Sequence, residues 1–224
     1  MIEKIFLNKD FVEQIDSDYE LIEDQRINHK FIMSLKIRFP DDWYIYRLYE
    51  PIKHPKKPEL ITYDESSKIK FLTYNKFPDG VFIRKESRFK YKVFVFELKK
   101  NATNKLPEIP MQLHSGILHA ISVINFAEID TPIGNTVTIP SNLTIDYELY
   151  VFSAKEVVIP TNPRPIPGKP VNTNTRLLSY VNEDIVYHNL KGEKYFNFKV
   201  NKIHPLEIVN NQDIKEYRSC IDIK

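Results

Sequence analysis

Cysteine, glycine and long apolar runs are all scarce in this chain of 224 residues. Its single cysteine, Cys220, excludes an internal disulfide and a zinc site built from cysteines, and it indicates a reducing compartment. The N-terminal stretch MIEKIFLNKDF carries acidic side chains early and lacks the apolar core of a secretory signal. The longest nearly apolar run, residues 117–127, is too short to span a membrane. We therefore expect a cytoplasmic protein with no membrane segment.

The chain has only 5 glycines, against 15 prolines, 13 tyrosines and 14 phenylalanines. Few positions can therefore adopt a positive φ without strain, and many loops should be stiff. The aromatic content favours strands. Because the formal net charge is only +2, a surface that binds nucleic acid would have to come from local clusters of basic residues.

Hydrophobic patterning predicts helices at two places and strands at most others. Residues 9–35 are predicted to be mainly helical, and residues 111–128 give the best helix, with an apolar stripe at helical spacing. Short β-branched or aromatic stretches predict strands at 44–50, 59–64, 68–74, 80–86, 89–98 and 143–154, and weaker strands follow near 176–200.

A helix between two apolar strands indicates a crossover within a partly parallel sheet. The stretch VFVF, at residues 93–96, is typical of a strand buried on both faces. We predict an α/β (α+β) fold with a mixed central β-sheet flanked by helices. Its core would span residues 1–158, including the N-terminal helical segment. Residues 159–224 would add a proline-rich loop and a β-rich extension packed on the same domain.

One group of charged residues suggests metal-dependent chemistry. Glu97 and Lys99 are two apart on a predicted strand, so their side chains point to one face, and the carbonyl of Leu98 can face a metal. Asp79 begins the preceding strand, and a hairpin would bring it near Glu97. Two carboxylates can hold a hard cation such as Mg²⁺, and a nearby lysine can orient water or stabilise developing negative charge.

This arrangement resembles the PD-(D/E)xK nuclease superfamily, with Pro78-Asp79 as the first half of the motif and Glu97-Leu98-Lys99 as the second. The resemblance covers roughly residues 70–152. It implies a restriction-endonuclease-like core and a metal-dependent endonuclease that hydrolyses phosphodiester bonds, of DNA rather than RNA. It also implies Mg²⁺ or Mn²⁺ on Asp79, Glu97 and the Leu98 carbonyl, with Lys99 beside the attacking water.

The resemblance implies two further polar groups at the site. The family often adds a glutamate from an N-terminal helix, for which Glu20 and Glu23 are both candidates, and a polar residue on the helix after the motif, which Gln112 matches by position. The low net charge suggests that a homodimer or a partner subunit helps to hold the substrate.

Simpler interpretations stay open beside this one. Pro-Asp-Gly is a common turn sequence, and a strand can end in solvent with charged residues. The tripeptides at 213–215 and 222–224 also fit the second half of the motif, but they lie in a polar tail. The basic stretches 53–58 and 84–92 could contact phosphates or simply be solvated. The alternatives are a non-catalytic nucleic-acid-binding or scaffold subunit that keeps the nuclease fold, and an unrelated β-rich interaction protein.

Overall fold

The computed structural model describes residues 12–25, 31–49, 77–106, 108–128, 140–155, 178–181, 184–188, 194–205 and 215–224. The predicted strands at 59–64 and 68–74 and the basic stretch at 53–58 lie outside these residues. The described part of the chain is a mixed α+β fold made mostly of strands, with one long helix. No helix within it is long and apolar enough to cross a membrane.

The structure contains twelve described strands and two helices. The strands are β1 (Val12–Ile15), β2 (Asp18–Asp24), β3 (Phe31–Arg38), β4 (Ile45–Leu48), β5 (Gly80–Ser87), β6 (Lys90–Lys99), β7 (Thr144–Ser153), β8 (Leu178–Val181), β9 (Asp184–His188), β10 (Lys194–Lys202), β11 (His204–Pro205) and β12 (Lys215–Asp222). The helices are α1 (Ala102–Lys105) and α2 (Ile109–Glu128). The helix predicted at 111–128 is confirmed as α2, which begins two residues earlier, and the short helix α1 precedes it.

The larger sheet has eight strands in the order β1-β4-β5-β6-β7-β10-β9-β8. Its pairs are antiparallel from β1 to β6 and from β10 to β8, while β6–β7 and β7–β10 are parallel. The helix α2 makes the crossover from β6 to β7. The predicted mixed sheet and the predicted strand–helix–strand order are therefore confirmed.

A second sheet of four strands, in the order β11-β12-β3-β2, replaces the helix predicted at residues 9–35. That prediction was wrong because alternate residues of β3 (Phe31, Met33, Leu35 and Ile37) all point into the core, which is a strand period of two. The predicted polar tail is also wrong, since β12 pairs in parallel with β3. Tyr217 is the buried residue of β12, so hydrophobic alternation could not reveal this strand.

The larger sheet is covered on its two faces by different partners. Val93 and Val95 of β6 pack with α2, whereas Phe94, Phe96 and Leu98 pack against the second sheet. The prediction that VFVF is buried on both faces is confirmed. The expectation of helices on both faces is corrected, because the second sheet occupies one of them.

At the end of α2, a buried carboxylate joins the helix to the hairpin of β5 and β6. Glu128 accepts hydrogen bonds from the Tyr91 hydroxyl and from Lys85 Nζ, the latter at 2.7 Å. Burial alone would raise the pKa of Glu128, but these two hydrogen bonds lower it. The carboxylate stands at the helix C-terminus, where the dipole disfavours negative charge, so Lys85 offsets that cost as well.

We expect Glu128→Ala to lower the free energy of unfolding by about 2–4 kcal/mol, because it leaves the buried Tyr91 hydroxyl and Lys85 without their partner. Urea unfolding followed by circular dichroism measures this loss. The control is Glu216→Ala, which removes the partner of the exposed Arg218 and should cost about 0.5 kcal/mol. Equal losses in the two variants would contradict the structural role of Glu128.

Candidate active site

Two motif residues meet where β5 begins and β6 ends. Gly80 pairs with Phe96, so the register places Asp79 opposite Glu97. The Leu98 amide donates a hydrogen bond to Asp79 Oδ2 at 2.6 Å. Because an extended residue directs its N–H and its carbonyl to the same side of the strand, the Leu98 carbonyl also faces Asp79.

Glu97 is fully buried, and Lys99 stands beside it on the same face of β6. The Lys99 ammonium donates a hydrogen bond to Glu97 Oε1 and forms an ion pair with it. A charged pair at this depth is costly to desolvate, so further compensating partners are expected around it. Asp79 supplies additional negative charge, and a third carboxylate comes from the second sheet.

That third carboxylate is Glu23 on β2. Leu21 packs against Gly80: a Cβ added to Gly80 would lie 2.8 Å from Leu21 Cδ1. Glu23 is two residues further along β2 on the same face, and it interacts electrostatically with Asp79. The other candidate, Glu20, points to the opposite face and accepts a hydrogen bond from Ser34 at 2.6 Å. The structure therefore brings Glu23, and not Glu20, to the site.

Burial raises the pKa values of all three carboxyl groups, and repulsion by Asp79 adds to the rise for Glu23 and Glu97. The pKa of Glu97 lies well above its ordinary value, first because of burial and then because of Asp79. Burial also raises the pKa of Asp79, against the opposing charges of Lys99 and Arg47. The pKa of Glu23 rises to about 7, again through burial and Asp79. Burial alone would lower the pKa of Lys99, but Glu97 and Asp79 together raise it above 10.5.

Several oxygen atoms in this cluster are buried and have no hydrogen-bond partner: Glu23 Oε2, Glu97 Oε2 and Gln112 Oε1. Buried polar atoms in folded proteins almost always have a partner, so each of these needs an explanation. Carboxylate and amide oxygens are the ligands that Mg²⁺ and Mn²⁺ prefer. The donor set therefore fits a hard divalent cation.

In this structure the carboxylate oxygens of the cluster are not arranged around one point as the ligands of a cation would be. Within the described ranges, no group of three or more histidine, cysteine, aspartate or glutamate side chains stands in metal-coordinating geometry. Lys99 is bonded to one oxygen of Glu97, and the Leu98 amide is bonded to one oxygen of Asp79. Cation binding would therefore use the unpartnered Glu97 Oε2 or displace Lys99 from Oε1.

Gln112 approaches the site from α2, as its position in the sequence predicted. A Cβ added to Gly116 would lie 2.7 Å from Pro78 Cγ and 2.9 Å from Val95 Cγ1, so Gly116 sits directly over both residues. Because α2 runs antiparallel to β6, one helical turn back toward Gln112 corresponds to about two residues forward along β6, toward Glu97. The unpartnered Gln112 Oε1 is therefore near the carboxylates.

The basic stretch at 84–92 does not reach the site. It lies around the turn at the far end of the β5–β6 hairpin, about seven residues or roughly 23 Å along β6 from Glu97. Four of its basic side chains have acidic partners there: Arg84 and Lys90 pair with Glu86, Lys85 with Glu128, and Lys92 with Glu148. This stretch therefore lies away from the carboxylates and is largely engaged in ion pairs.

Sequence reasoning missed two residues that bear on the site. One is Arg47 on β4, whose charge acts on Asp79. The other is Gly116, on which Pro78 rests. A glycine inside the best predicted helix of a glycine-poor chain was a usable signal of close packing. Nothing in the local sequence distinguished Arg47 from other surface arginines.

Comparison of the chain with protein families, with curated proteins and with solved structures gives no match.

The raised pKa of Glu23 predicts how stability depends on pH. The folded protein holds the Glu23 proton up to about pH 7, whereas the unfolded chain releases it near 4.5. The stability that this proton contributes is present below pH 4.5 and is lost as the pH rises through 7. We expect the free energy of unfolding to fall less in Glu23→Gln than in the wild type as the pH rises from 5 to 8. Urea unfolding at both pH values measures the two differences.

Glu20→Gln is the matched control for this measurement, because Glu20 lies on the same strand but outside the carboxylate cluster. It should keep the wild-type loss of stability with rising pH. A Glu23→Gln variant with the same pH dependence as the wild type would contradict the raised pKa of Glu23 in the folded protein.

Proposed function

We propose that this chain is a metal-dependent nuclease that hydrolyses phosphodiester bonds, with DNA as the substrate. The observation that carries the proposal is the convergence of Glu23, Asp79 and Glu97 with Lys99 at one end of the sheet, with buried oxygens left unpartnered. Such a cluster of like charges is costly to fold, and a divalent cation would remove the cost.

The order of elements around the cluster supports the proposal. The hairpin of β5 and β6, followed by α2 and the parallel strand β7, has the order of hairpin, helix and strand expected for residues 70–152 from the resemblance to the PD-(D/E)xK superfamily. The second sheet departs from the expected helical flank, and Glu23 comes from a strand of that sheet instead of a helix.

In this mechanism Asp79, Glu97 and the Leu98 carbonyl would hold Mg²⁺ or Mn²⁺. The cation would neutralise charge on the phosphodiester and lower the pKa of water. Lys99 stays protonated at neutral pH, since its neighbours raise its pKa, so it donates hydrogen bonds to the attacking water or to a phosphate oxygen and does not act as a base. Glu23, with a pKa of about 7, can accept the proton that the water gives up.

The test is incubation of supercoiled plasmid and single-stranded DNA with the protein and Mg²⁺ or Mn²⁺. We expect metal-dependent cleavage by the wild type and a loss of about 10²–10³-fold in Lys99→Ala, the usual effect of removing one group that stabilises the transition state. The chain provides a matched control, because the motif-like tripeptide at 222–224 ends in the exposed Lys224. Lys224→Ala should cleave like the wild type.

Two results would contradict the proposal: no cleavage by the wild type with either metal, or equal cleavage by the wild type and Lys99→Ala. A wild-type protein that binds DNA but does not cleave it would favour the non-catalytic alternative, a binding subunit. Thermal unfolding of both variants shows whether a loss of cleavage comes from misfolding.

A further inference from the structure

Arg47 holds an unusual position beside the carboxylate cluster. It lies on β4 opposite Phe82 of β5, so its side chain points into the space between the two sheets. Its guanidinium carbon stands 4.5 Å from the ring centroid of Tyr19 and 4.5 Å from that of Tyr49. The cation is thus held between two aromatic rings, which fixes the plane of the guanidinium group.

The aromatic clamp is itself secured. The Tyr49 hydroxyl donates a hydrogen bond to Glu13 Oε2, and Tyr19 packs edge-on against Phe82 at 5.4 Å between ring centroids. Glu13 is therefore bonded to the clamp and not to the guanidinium. The two tyrosine rings lie 4.5 Å from the guanidinium carbon, so they contact the group and do not accept a hydrogen bond from Nε–H.

One donor on the edge of the Arg47 guanidinium is left without a partner. Arg47 Nε is buried and has no hydrogen-bond partner. A charged donor left unpaired in the interior costs more than a neutral one, so a protein that keeps it normally supplies an acceptor. Because all the N–H groups of a guanidinium lie in one plane, the stacked faces cannot provide that acceptor, and it must come from the edge.

Arg47 lies close enough to Asp79 for the two charges to interact. Arg47 is one of the two basic residues whose charge lowers the pKa of Asp79, and Lys99 is the other. Burial also lowers the pKa of the Arg47 guanidinium itself. A guanidinium cation held between two rings with an unpartnered Nε–H is well suited to donate a hydrogen bond to an oxyanion.

We propose that Arg47 binds a phosphate oxygen of the substrate through its Nε edge and so holds the phosphodiester between itself and Lys99. The identity of this oxyanion as a nucleic-acid phosphodiester rests on the proposed nuclease function. Binding of an oxyanion by Arg47 rests on the clamp and the unpartnered donor alone.

The test is a nuclear magnetic resonance titration of ¹⁵N-labelled wild-type protein that follows the Arg47 Nε–H signal. Contacts with the Tyr19 and Tyr49 rings assign the signal without any substitution. The titrants are a 12-base-pair DNA duplex in Ca²⁺, bis(4-nitrophenyl) phosphate and inorganic phosphate. We expect the Nε–H signal to shift on saturation with the duplex and the diester. A shift with inorganic phosphate alone would assign the edge to free phosphate and overturn the substrate proposal.

Affinity measurements on Arg47→Lys give the second arm of the test. Lysine keeps the charge but loses the planar fork, so we expect duplex binding to weaken about 10-fold. The matched control is Arg84→Lys, because Arg84 also stacks on an aromatic ring, Trp43, at 3.4 Å but lies away from the carboxylates. An unmoved Nε–H signal at saturation, or equal affinities for the two variants, would overturn the proposal.

The outcome is separable from that of the cleavage assay. If the wild type binds the duplex with a shifted Nε–H signal but cleaves nothing, the nuclease proposal fails and the role of Arg47 stands. If the wild type cleaves DNA while the signal stays unmoved, the nuclease proposal stands and the role of Arg47 fails.

Discussion

Glu97→Gln is expected to abolish phosphodiester cleavage, by at least about 10³-fold, while the protein stays folded. Glutamine keeps the volume of the side chain and an oxygen that can accept the hydrogen bond from Lys99, so the packing at the end of β6 is retained. It removes the negative charge that a divalent cation requires, and no other carboxylate stands at this point of β6. Initial rates on supercoiled plasmid in Mg²⁺ measure the effect.

The control for Glu97→Gln is Asp222→Asn. Asp222 occupies the corresponding position in the motif-like tripeptide at 222–224, but it is exposed and pairs with Arg38 on the surface at 3.4 Å. It should cleave at the wild-type rate. Circular dichroism and thermal unfolding of both variants establish that they are folded. A folded Glu97→Gln variant that cleaves within about 3-fold of the wild type would show that Glu97 is not part of the reaction.

Gly116→Ala is expected to lower the cleavage rate by about 10²-fold, although residue 116 contacts no substrate, because a displacement near 1 Å at a reacting group has an effect of that size. The added methyl group would meet Pro78, Val81 and Val95 at 2.7–3.1 Å. All three neighbours are buried, and Pro78 makes the closest contact, so we expect the strain to displace Pro78 and, with it, the adjoining Asp79. The substitution should lower the free energy of unfolding by about 1–2 kcal/mol, since the cost of overpacking is partly offset by the better helix propensity of alanine.

The double variant Gly116→Ala with Pro78→Ala tests this explanation. Trimming the proline ring removes the closest contact, so the second substitution should restore part of the cleavage rate that the first one lost. Ser115→Ala, at the neighbouring position of α2, serves as the control and should change little. Additive losses in the double variant would show that the two residues do not act through the same contact.

Sequence patterning predicted those helices and strands whose apolar residues are the ones that are buried in the fold. The run Val93–Phe96 is apolar on both faces because α2 covers one face and the second sheet covers the other, so the letters themselves carried the information. The helix α2 and the strands β5, β6 and β7 follow for the same reason.

The second sheet could not be predicted in this way. Strand β2 reads DYELIED, and its outward face is charged, so only Leu21 is buried there. Strand β12 buries Tyr217 and is held mainly by backbone pairing with β3. In both strands the tertiary pairing decides the structure, and local preference does not.

The residues of the candidate site also fall into a group that the sequence could identify and a group that it could not. Asp79, Glu97 and Lys99 could be named from the sequence because they lie on adjacent strands of one hairpin, whose register is local. Glu23 and Arg47 come from strands whose positions depend on how the two sheets pack. Glu20 and Glu23 were indistinguishable until the strand period placed them on opposite faces of β2.

The position of Mn²⁺ in crystals soaked with the metal, located from its anomalous scattering, tests directly whether these carboxylates form a metal site. We expect one peak held by Asp79 and Glu97, with the Leu98 carbonyl and Glu23 beside it, and loss of this peak in Glu97→Gln. The absence of any peak at these carboxylates at millimolar Mn²⁺, with Lys99 still bonded to Glu97, would contradict it.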